Sequence, residues 1–195
     1  QGEAKAILAA ERVALNTLGR MMGIATLVQD GMSSLAKACS ATVLAGTRKT
    51  TPGFRFFEKM AIERAGGDPH RFDLSSEGMI KDNHIAAAGD LAKAIEAFQA
   101  AYPNKRLTVE VESLEMAKIA AGYEPRVIMI DNQTSETGRA WAEAIWEIAP
   151  QTLVEVSGGI QLHQVAEYGW ADRISLGALT HQAQSLDVGL DWESA

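Results

Sequence analysis

Apolar residues recur at three- and four-residue spacings through Ala6 to Leu18 and again through Ile24 to Ala38. That period predicts two helical segments within residues 1–40. Beyond residue 40 the pattern changes to short apolar runs alternating with amphipathic stretches. The runs at Thr42–Gly46, Gly78–Ile80, Leu107–Val111, Val127–Ile130, Leu153–Val156 and Arg173–Leu176 read as strands. The stretches near Phe54–Ala65, Asp90–Ala101, Ser113–Ala121, Ser135–Ile148 and Leu162–Tyr168 read as helices. Strands alternating with helices pair in parallel through right-handed crossovers. Several runs are continuously apolar, as strands covered on both faces are.

Six such strands fall short of the eight in a closed β/α barrel. The expected fold is therefore α/β, an open or incomplete parallel β/α barrel (TIM-like) preceded by helices, with a doubly wound sheet as the alternative. Residues 1–40 form the helical segment leading into the barrel, 41–182 the barrel, and 183–195 a C-terminal tail. The chain begins at Gln1 inside a helical pattern, which reads as a domain of a longer protein.

The strand ends carry the chemistry. Arg48 and Lys49 follow the first strand, and Lys81, Asp82 and Asn83 the second. Glu110 and Glu112 close the third, Asp131 and Asn132 the fourth. Ser157, Gly158 and Gly159 follow the fifth, and Gly177 the sixth. In β/α barrels the carboxyl ends of the strands converge on one face, which carries the active site. A dedicated polar set after every strand points to an enzyme.

Charge sharpens this reading. The net charge of −7 argues against a nucleic-acid surface, yet Arg12, Arg48, Lys49, Arg71 and Lys81 recur near the strand ends or the leading helix, with His70 beside Arg71. Cations in such a set suit an anionic substrate, and Arg favours planar carboxylates or phosphates. Glu110 and Asp131 stand on adjacent strands, where carboxylates facing a phosphate-rich ligand bind Mg²⁺ or steady positive charge on a sugar ring. Glycines after the last two strands allow backbone amides to approach a phosphate. No apolar run reaches the ~20 residues of a membrane span. The lone Cys39 forms no internal disulfide, suggests a reducing cytoplasm, and reads as buried packing.

Other residues have plainer readings. His84 and His181 read as loop histidines bonded to backbone, and His163 as exposed. Asp82 reads equally as a cap or a second Mg²⁺ ligand. Glu112 shares the face of Glu110 and is expected to pair with a nearby lysine. Arg55, Glu58, Lys59, Glu63 and Arg64 read as a solvated helix face laced with ion pairs. Trp141, Trp146, Trp170 and Trp192 suit packing or subunit contacts.

Taken in order, several segments resemble the quinolinate phosphoribosyltransferase family. They are Glu11–Asn16 with Gly23–Thr26, then Thr47-Arg48-Lys49-Thr50-Thr51-Pro52-Gly53-Phe54-Arg55, Glu58-Lys59, Gly66-Gly67 and His70-Arg71. Ile80-Lys81-Asp82-Asn83-His84, Glu110-Val111-Glu112, Asp131-Asn132, Ser157-Gly158-Gly159 and Ser175–His181 continue the match over essentially the whole chain. Met22 stands where the family pattern has serine, and the connection from Thr26 to Thr47 runs slightly longer.

The resemblance implies phosphoribosyl transfer from phosphoribosyl pyrophosphate to quinolinate with loss of CO₂, giving nicotinate mononucleotide in NAD biosynthesis. It implies an α/β sandwich domain ahead of the barrel, absent from this sequence, and a tail returning toward it. It also implies a homodimer, or a higher oligomer, with active sites shared between subunits. Arg48, Lys49, His70, Arg71 and Lys81 would line the dicarboxylate pocket, and Arg12 would reach into the neighbouring subunit's site. Glu110 and Asp131 would hold ribose hydroxyls and Mg²⁺, directly or not. Ser157, Gly158, Gly159 and Gly177 would take phosphate. Lys49, Lys81, Glu110 and Asp131 are the expected catalytic set. The rivals are a related transferase acting on another acid, a non-catalytic dimer scaffold, and a generic sugar-phosphate barrel.

Overall fold

A computed structural model describes residues 2–191; Trp192 lies outside them. The two expected helical segments are one helix, α1 (Ala4–Lys37), of 34 residues. Gly19 and Gly23 sit inside it without breaking it, because both are buried under another part of the chain. The carbonyls of Leu186 and Gln184 lie 2.4 and 1.9 Å from where a Cβ would stand at Gly19 and Gly23. Segment 183–188 thus runs back along α1, and the Leu186 amide donates to the Gly19 carbonyl at 3.0 Å.

The helix ends in a left-handed turn. Cys39 has φ 54°, its amide donates to Ala36 O, and the Ser40 amide donates to Leu35 O, both at 3.0 Å. This paired capping pattern satisfies the last carbonyls of the helix. It also corrects the expectation for Cys39, which is exposed, because the turn carries it outward.

Six strands follow: β1 (Val43–Ala45), β2 (Gly78–Ile80), β3 (Leu107–Val111), β4 (Val127–Asp131), β5 (Leu153–Ser157) and β6 (Arg173–Ser175). All pairs are parallel, in the order β1-β6-β5-β4-β3-β2. From β2 to β6 each strand neighbours the next in sequence, and β1 closes against β6. A doubly wound sheet would reverse its order at a switch point, so the open barrel is the fold. The gap lies between β1 and β2, where a single bridge joins Ala45 to Asp68.

Helices α2 (Arg55–Arg64), α3 (Asp82–Ala88), α4 (Leu91–Ala101), α5 (Leu114–Ala121) and α6 (Ser135–Ile148) come next. A 3-10 helix spans Leu162–Tyr168, where an ordinary helix was expected, and α7 (Ala178–His181) is one turn. Helices α3 and α7 were not foreseen, being short and lacking an apolar face of their own. Side chains at N-cap positions start three of the helices: Asp90, Ser113 and Thr134 each accept from a backbone amide three residues on.

The core lies between sheet and helices, with Leu44, Val109, Ile128, Ile130, Val154 and Ile174 fully buried against residues such as Ile62, Ile95 and Ile145. Burial of Leu- and Ile-sized side chains stabilises by roughly 1.5–3 kcal/mol each. Trp141, Trp146 and Trp170 pack against this core, as expected.

The solvated face expected on α2 holds for Glu63 and Arg64, which are exposed, but not for Glu58 and Lys59. Glu58 is 0% and Lys59 2% exposed, because α2 is covered by α1 on one side and by the loop after β1 on the other. Arg20 of α1 donates to Glu58 at 2.9 and 3.1 Å and to the carbonyls of Ala183 and Thr180 at 2.6 and 2.5 Å.

Gly23→Ala should drive a methyl group into Gln184 O and lift the tail from α1, at a cost of about 1–3 kcal/mol. Urea unfolding reads the loss, and an unchanged midpoint would show that the tail contact contributes nothing.

Candidate active site

Along each parallel strand alternate side chains face the barrel interior. In β3 these include Thr108 and Glu110, in β4 Met129 and Asp131, in β5 Glu155 and Ser157, and in β6 Arg173 and Ser175. The strand registers place Met129 opposite Glu155, Asp131 opposite Ser157, and Glu155 opposite Arg173. The strand ends open into a cleft of about 540 Å³.

Arg48, Lys49, His70, Arg71, Lys81, Glu110, Asp131, Ser157, Gly158, Gly159 and Gly177 all line this cleft. Arg12 does not: it is exposed on α1. Asn132, Gln161, His181 and Gln182 also line it. His181 was expected to be a loop histidine. It sits instead on α7, with Nε2 2.9 Å from where a Cβ would stand at Gly177, and Lys49 Cδ is 3.2 Å from the same point.

The cationic side is built on two loops. After β1, the Lys49 amide donates to Thr47 Oγ1 at 3.1 Å and Lys49 O accepts from Thr180 Oγ1 at 2.6 Å. Arg55 donates to Thr50 Oγ1 and Arg48 O, and Thr51 donates through its amide and hydroxyl to Glu58. The second loop, Asp68–Arg71, holds His70 in a left-handed conformation at φ 54°. Its amide donates to Asp68 Oδ1, and the Arg71 amide donates to His70 Nδ1, both at 2.6 Å. Arg71 is brought below the usual guanidinium range by burial and by the nearby charge of Arg48, against the opposing pull of Glu77, Glu155 and Glu110.

Beneath these loops lies a charged cluster that the sequence did not betray. Glu155 is fully buried and meets His70 Nε2 at 3.3 Å and Arg173 Nε at 2.7 Å, with Ser175 Oγ donating to it as well. Arg173 reaches on to Asp68 at 2.8 Å. Burial alone pushes the Glu155 carboxyl up, but His70, Arg173 and Ser175 outweigh it and hold the group below the ordinary carboxylate range. His70 is itself shielded, with a side chain 6% exposed and Glu77 at 3.5 Å from Nδ1.

The acidic side has its own bonds. Lys81 Nζ pairs with Glu110 Oε2, and among the described residues Glu112 has no ion pair with a lysine. Asp131 accepts from Ser157 Oγ and from Asn132 Nδ2. Carboxylate oxygens of Glu110, Glu112 and Asp131 lie within 4.8 Å of one another, a hard-oxygen set that fits Mg²⁺. Asp82 is the first residue of α3 and accepts from the next amide, Asn83, at 2.7 Å; the N-cap position belongs to Lys81, whose amide donates to His84 Nδ1 at 3.1 Å.

The glycine turn after β5 is sterically obligatory. Gly158 has φ 89°, and a Cβ there would stand 2.2 Å from Asn132 Oδ1 and 2.6 Å from Asn132 N.

Cations beside the cleft, carboxylates on two strands, a tight glycine turn after β5 and a glycine at the start of α7 after β6 define a β/α barrel whose strand ends suit a polyanionic ligand. Residues 24–191 match the family described as quinolinate phosphoribosyl transferase, C-terminal domain, and the chain belongs to that family.

A probable nicotinate-nucleotide pyrophosphorylase [carboxylating] of Archaeoglobus fulgidus is 44% identical over 97% of this chain and 74% of its own length. The nicotinate-nucleotide pyrophosphorylase [carboxylating] of Homo sapiens is 40% identical over 97% of this chain and 65% of its own. The crystal structure of NadC from Streptococcus pyogenes superposes with a TM-score of 0.87 at 40% identity, covering 95% of this chain and 65% of that one. The chain thus spans only part of the length of its relatives. Among the described residues no helix is long and apolar enough to cross a membrane.

Two outcomes follow from this geometry. Lys59, behind the Arg71 loop and bonded to Pro69 O, is lowered from 10.5 to about 8 by burial and by Arg55, against the pull of Asp68. Below pH 8 folded and unfolded chains both hold its proton, and the penalty is present in full. Between pH 8 and 10.5 the unfolded chain holds more protons, so stability rises with pH. Urea unfolding of wild type and Lys59→Met should show the wild type gaining on the variant across that window; a constant difference would refute the burial cost. Separately, Gly158→Ala should weaken pyrophosphate binding by at least about fivefold, if the overpacking cost of about 1–3 kcal/mol falls on the turn that meets the anion. Calorimetric titration measures this, and an unaltered Kd removes Gly158 from the anion site.

Proposed function

We propose that this protein transfers the phosphoribosyl group of phosphoribosyl pyrophosphate to quinolinate, releasing pyrophosphate and CO₂ and leaving nicotinate mononucleotide for NAD biosynthesis. One observation carries the reading: a single cleft joins a cationic wall to a wall of carboxylates and glycine turns. The reaction needs both, since a dicarboxylate must meet a sugar bearing phosphates. The names of the relatives, carboxylating nicotinate-nucleotide pyrophosphorylases, support the same chemistry.

In this reading Arg48, Lys49, Arg71 and Lys81 offset the charge of the pyridine dicarboxylate, with His70 in the wall behind them. The ring nitrogen forms its bond to the anomeric carbon while the bond to pyrophosphate oxygen breaks. Glu110 and Asp131 face the ribose and steady the positive charge that develops on it. Amides at Gly158, Gly159 and Gly177, with the Ser157 hydroxyl, take phosphate oxygens.

The electron pair of the breaking carbon–carboxylate bond then stays on the ring carbon, steadied by the positive nitrogen beside it; CO₂ leaves, and that carbon takes a proton from water. Preorganised cations lower the barrier most where charge shifts. Glu110 and Asp131, joined by Glu112, would hold Mg²⁺, which when bound supplies charge neutralisation for the leaving pyrophosphate.

The proposed assembly is a homodimer, with Arg12 of one subunit entering the other's cleft. Its support is an apolar groove on the same stretch of α1, lined by Val13, Leu18, Phe57 and Met60, each at least one third exposed. The cytoplasm is the proposed location, in keeping with a lone thiol.

The intact protein, given quinolinate, phosphoribosyl pyrophosphate and Mg²⁺, should release pyrophosphate and CO₂ in equal amounts, and neither with nicotinate. Pyrophosphate without CO₂ would move the acceptor to another acid, and neither product would end the reading. Lys81→Ala should lower kcat by at least about a hundredfold with an unchanged unfolding midpoint; a retained rate would remove Lys81 from the chemistry.

A further inference from the structure

We infer that Glu155 is a positioning residue for the acceptor side of the cleft, acting on Arg71 through the Asp68–Arg71 loop that it buttresses from inside the barrel. The inference rests on the proposed reading only for the identity of the acceptor.

The loop faces a mechanical problem. It lies at the gap between β1 and β2, where, among the described residues, its one backbone pairing with the sheet is the bridge from Ala45 to Asp68. His70 holds a left-handed backbone angle that side-chain-bearing residues rarely adopt, so the loop keeps this shape only if its surroundings over-determine it. Three buried or half-buried charges from three elements do so. Lys59 of α2 donates to Pro69 O, and Arg173 of β6 binds Asp68 at 2.8 Å. Glu155 of β5 takes His70 Nε2 at 3.3 Å.

Glu155 is the hub, since it also binds Arg173 and accepts from Ser175. Both ring nitrogens of His70 are engaged, Nε2 by Glu155 and Nδ1 by the Arg71 amide. The chain of contacts therefore runs from Glu155 through the imidazole to the backbone of Arg71. The Arg71 guanidinium is held in turn against Met79 Sδ at 3.1 Å on the cleft wall. Glu155 does not line the cleft, so it acts on a ligand only through groups it holds; of these, Ser175 lies on the wall at the end of β6 and the loop carries Arg71.

The choice of carboxylate is informative. A buried ion set is poor value for stability alone, because well-packed apolar side chains do as well or better. Here the charges fix a direction. Of the two carboxylates near the imidazole, Glu155 lies closer, at 3.3 Å from Nε2 against 3.5 Å from Nδ1 for Glu77, and Nδ1 already accepts the Arg71 amide at 2.6 Å; the N–H is therefore directed to Glu155. An amide at position 155 keeps the size but halves the accepting capacity, leaving His70, Arg173 and Ser175 to compete for one oxygen.

The test is a double-mutant cycle with Glu155→Gln and Arg71→Ala in the intact protein. Glu155→Gln should raise KM for quinolinate by about ten- to a hundredfold, as small misplacements of binding groups do. KM for phosphoribosyl pyrophosphate should stay within about twofold, and Glu155→Asp should restore part of the loss. In the Arg71→Ala background Glu155→Gln should add less than about twofold, because the two act as a unit. Losses that multiply, or equal rises in both KM values, would overturn the inference.

Amide hydrogen exchange provides the arm that needs no turnover. Glu155→Gln should speed exchange at His70 and Arg71 while β4 stays protected, and unchanged protection at the loop refutes the buttress even if quinolinate is not the substrate. Where Glu155→Gln fails to fold, Asp68→Asn, half-exposed and cut from Arg173, should give the same pattern of KM and exchange; a wild-type pattern there would equally overturn it.

Discussion

Positive charge must be gathered in one cleft without driving its carriers apart. Arg48, Lys49, Arg71 and Lys81 converge there in a chain whose net charge is −7. Cations at such range repel, and Arg71 registers it, since the charge of Arg48 helps to bring its guanidinium below the usual range. The barrel answers by setting carboxylates behind the cations. Glu110 faces Lys81, while Glu77, Glu155 and Glu110 all oppose the charge on Arg71. Concentrated charge of one sign is held by charge of the other placed on rigid strands, the condition for electrostatic preorganisation.

This arrangement explains what was legible in the sequence. A strand end is a boundary between an apolar run and a polar loop, and both sides are visible locally. Lys81, Glu110, Asp131, Ser157 and Gly177 could each be assigned by counting from the end of a run. Parallel topology then brought them together without any long-range information. The six runs are strands within a residue or so of their expected limits, for the same reason.

What was missed depends on pairing across sequence distance. Glu155 sits in an apolar run and Arg173 opens another, and nothing local says that they meet each other or that Arg173 meets Asp68, 105 residues away. Glu58 and Lys59 have the spacing of an exposed helix face; α1 and the loop after β1 cover that face, and neither cover can be read from α2 itself. Cys39 had an apolar neighbourhood in sequence, but the capping turn decides its exposure. His181 and α7 were hidden because one turn of helix has no period to detect.

The same long-range pairings tie the tail to the cleft. Gly19 and Gly23 have no side chains, so the tail comes close enough to α1 for Arg20 to reach Ala183 O. The same guanidinium binds Thr180 O, and Thr180 in turn fastens Lys49 O. Its other partner, Glu58, accepts from Thr51 at the far end of the same loop. Removing one partner of a buried ion pair costs about 3–5 kcal/mol, so Arg20 and Glu58 are held together by the penalty of separation. The loop carrying Arg48 and Lys49 is thereby clamped at both ends by groups that α1 supplies or orders. The leading helix lies outside the barrel and, among the described residues, contributes none to its own chain's cleft wall, yet it sets the position of two of the cleft's cations.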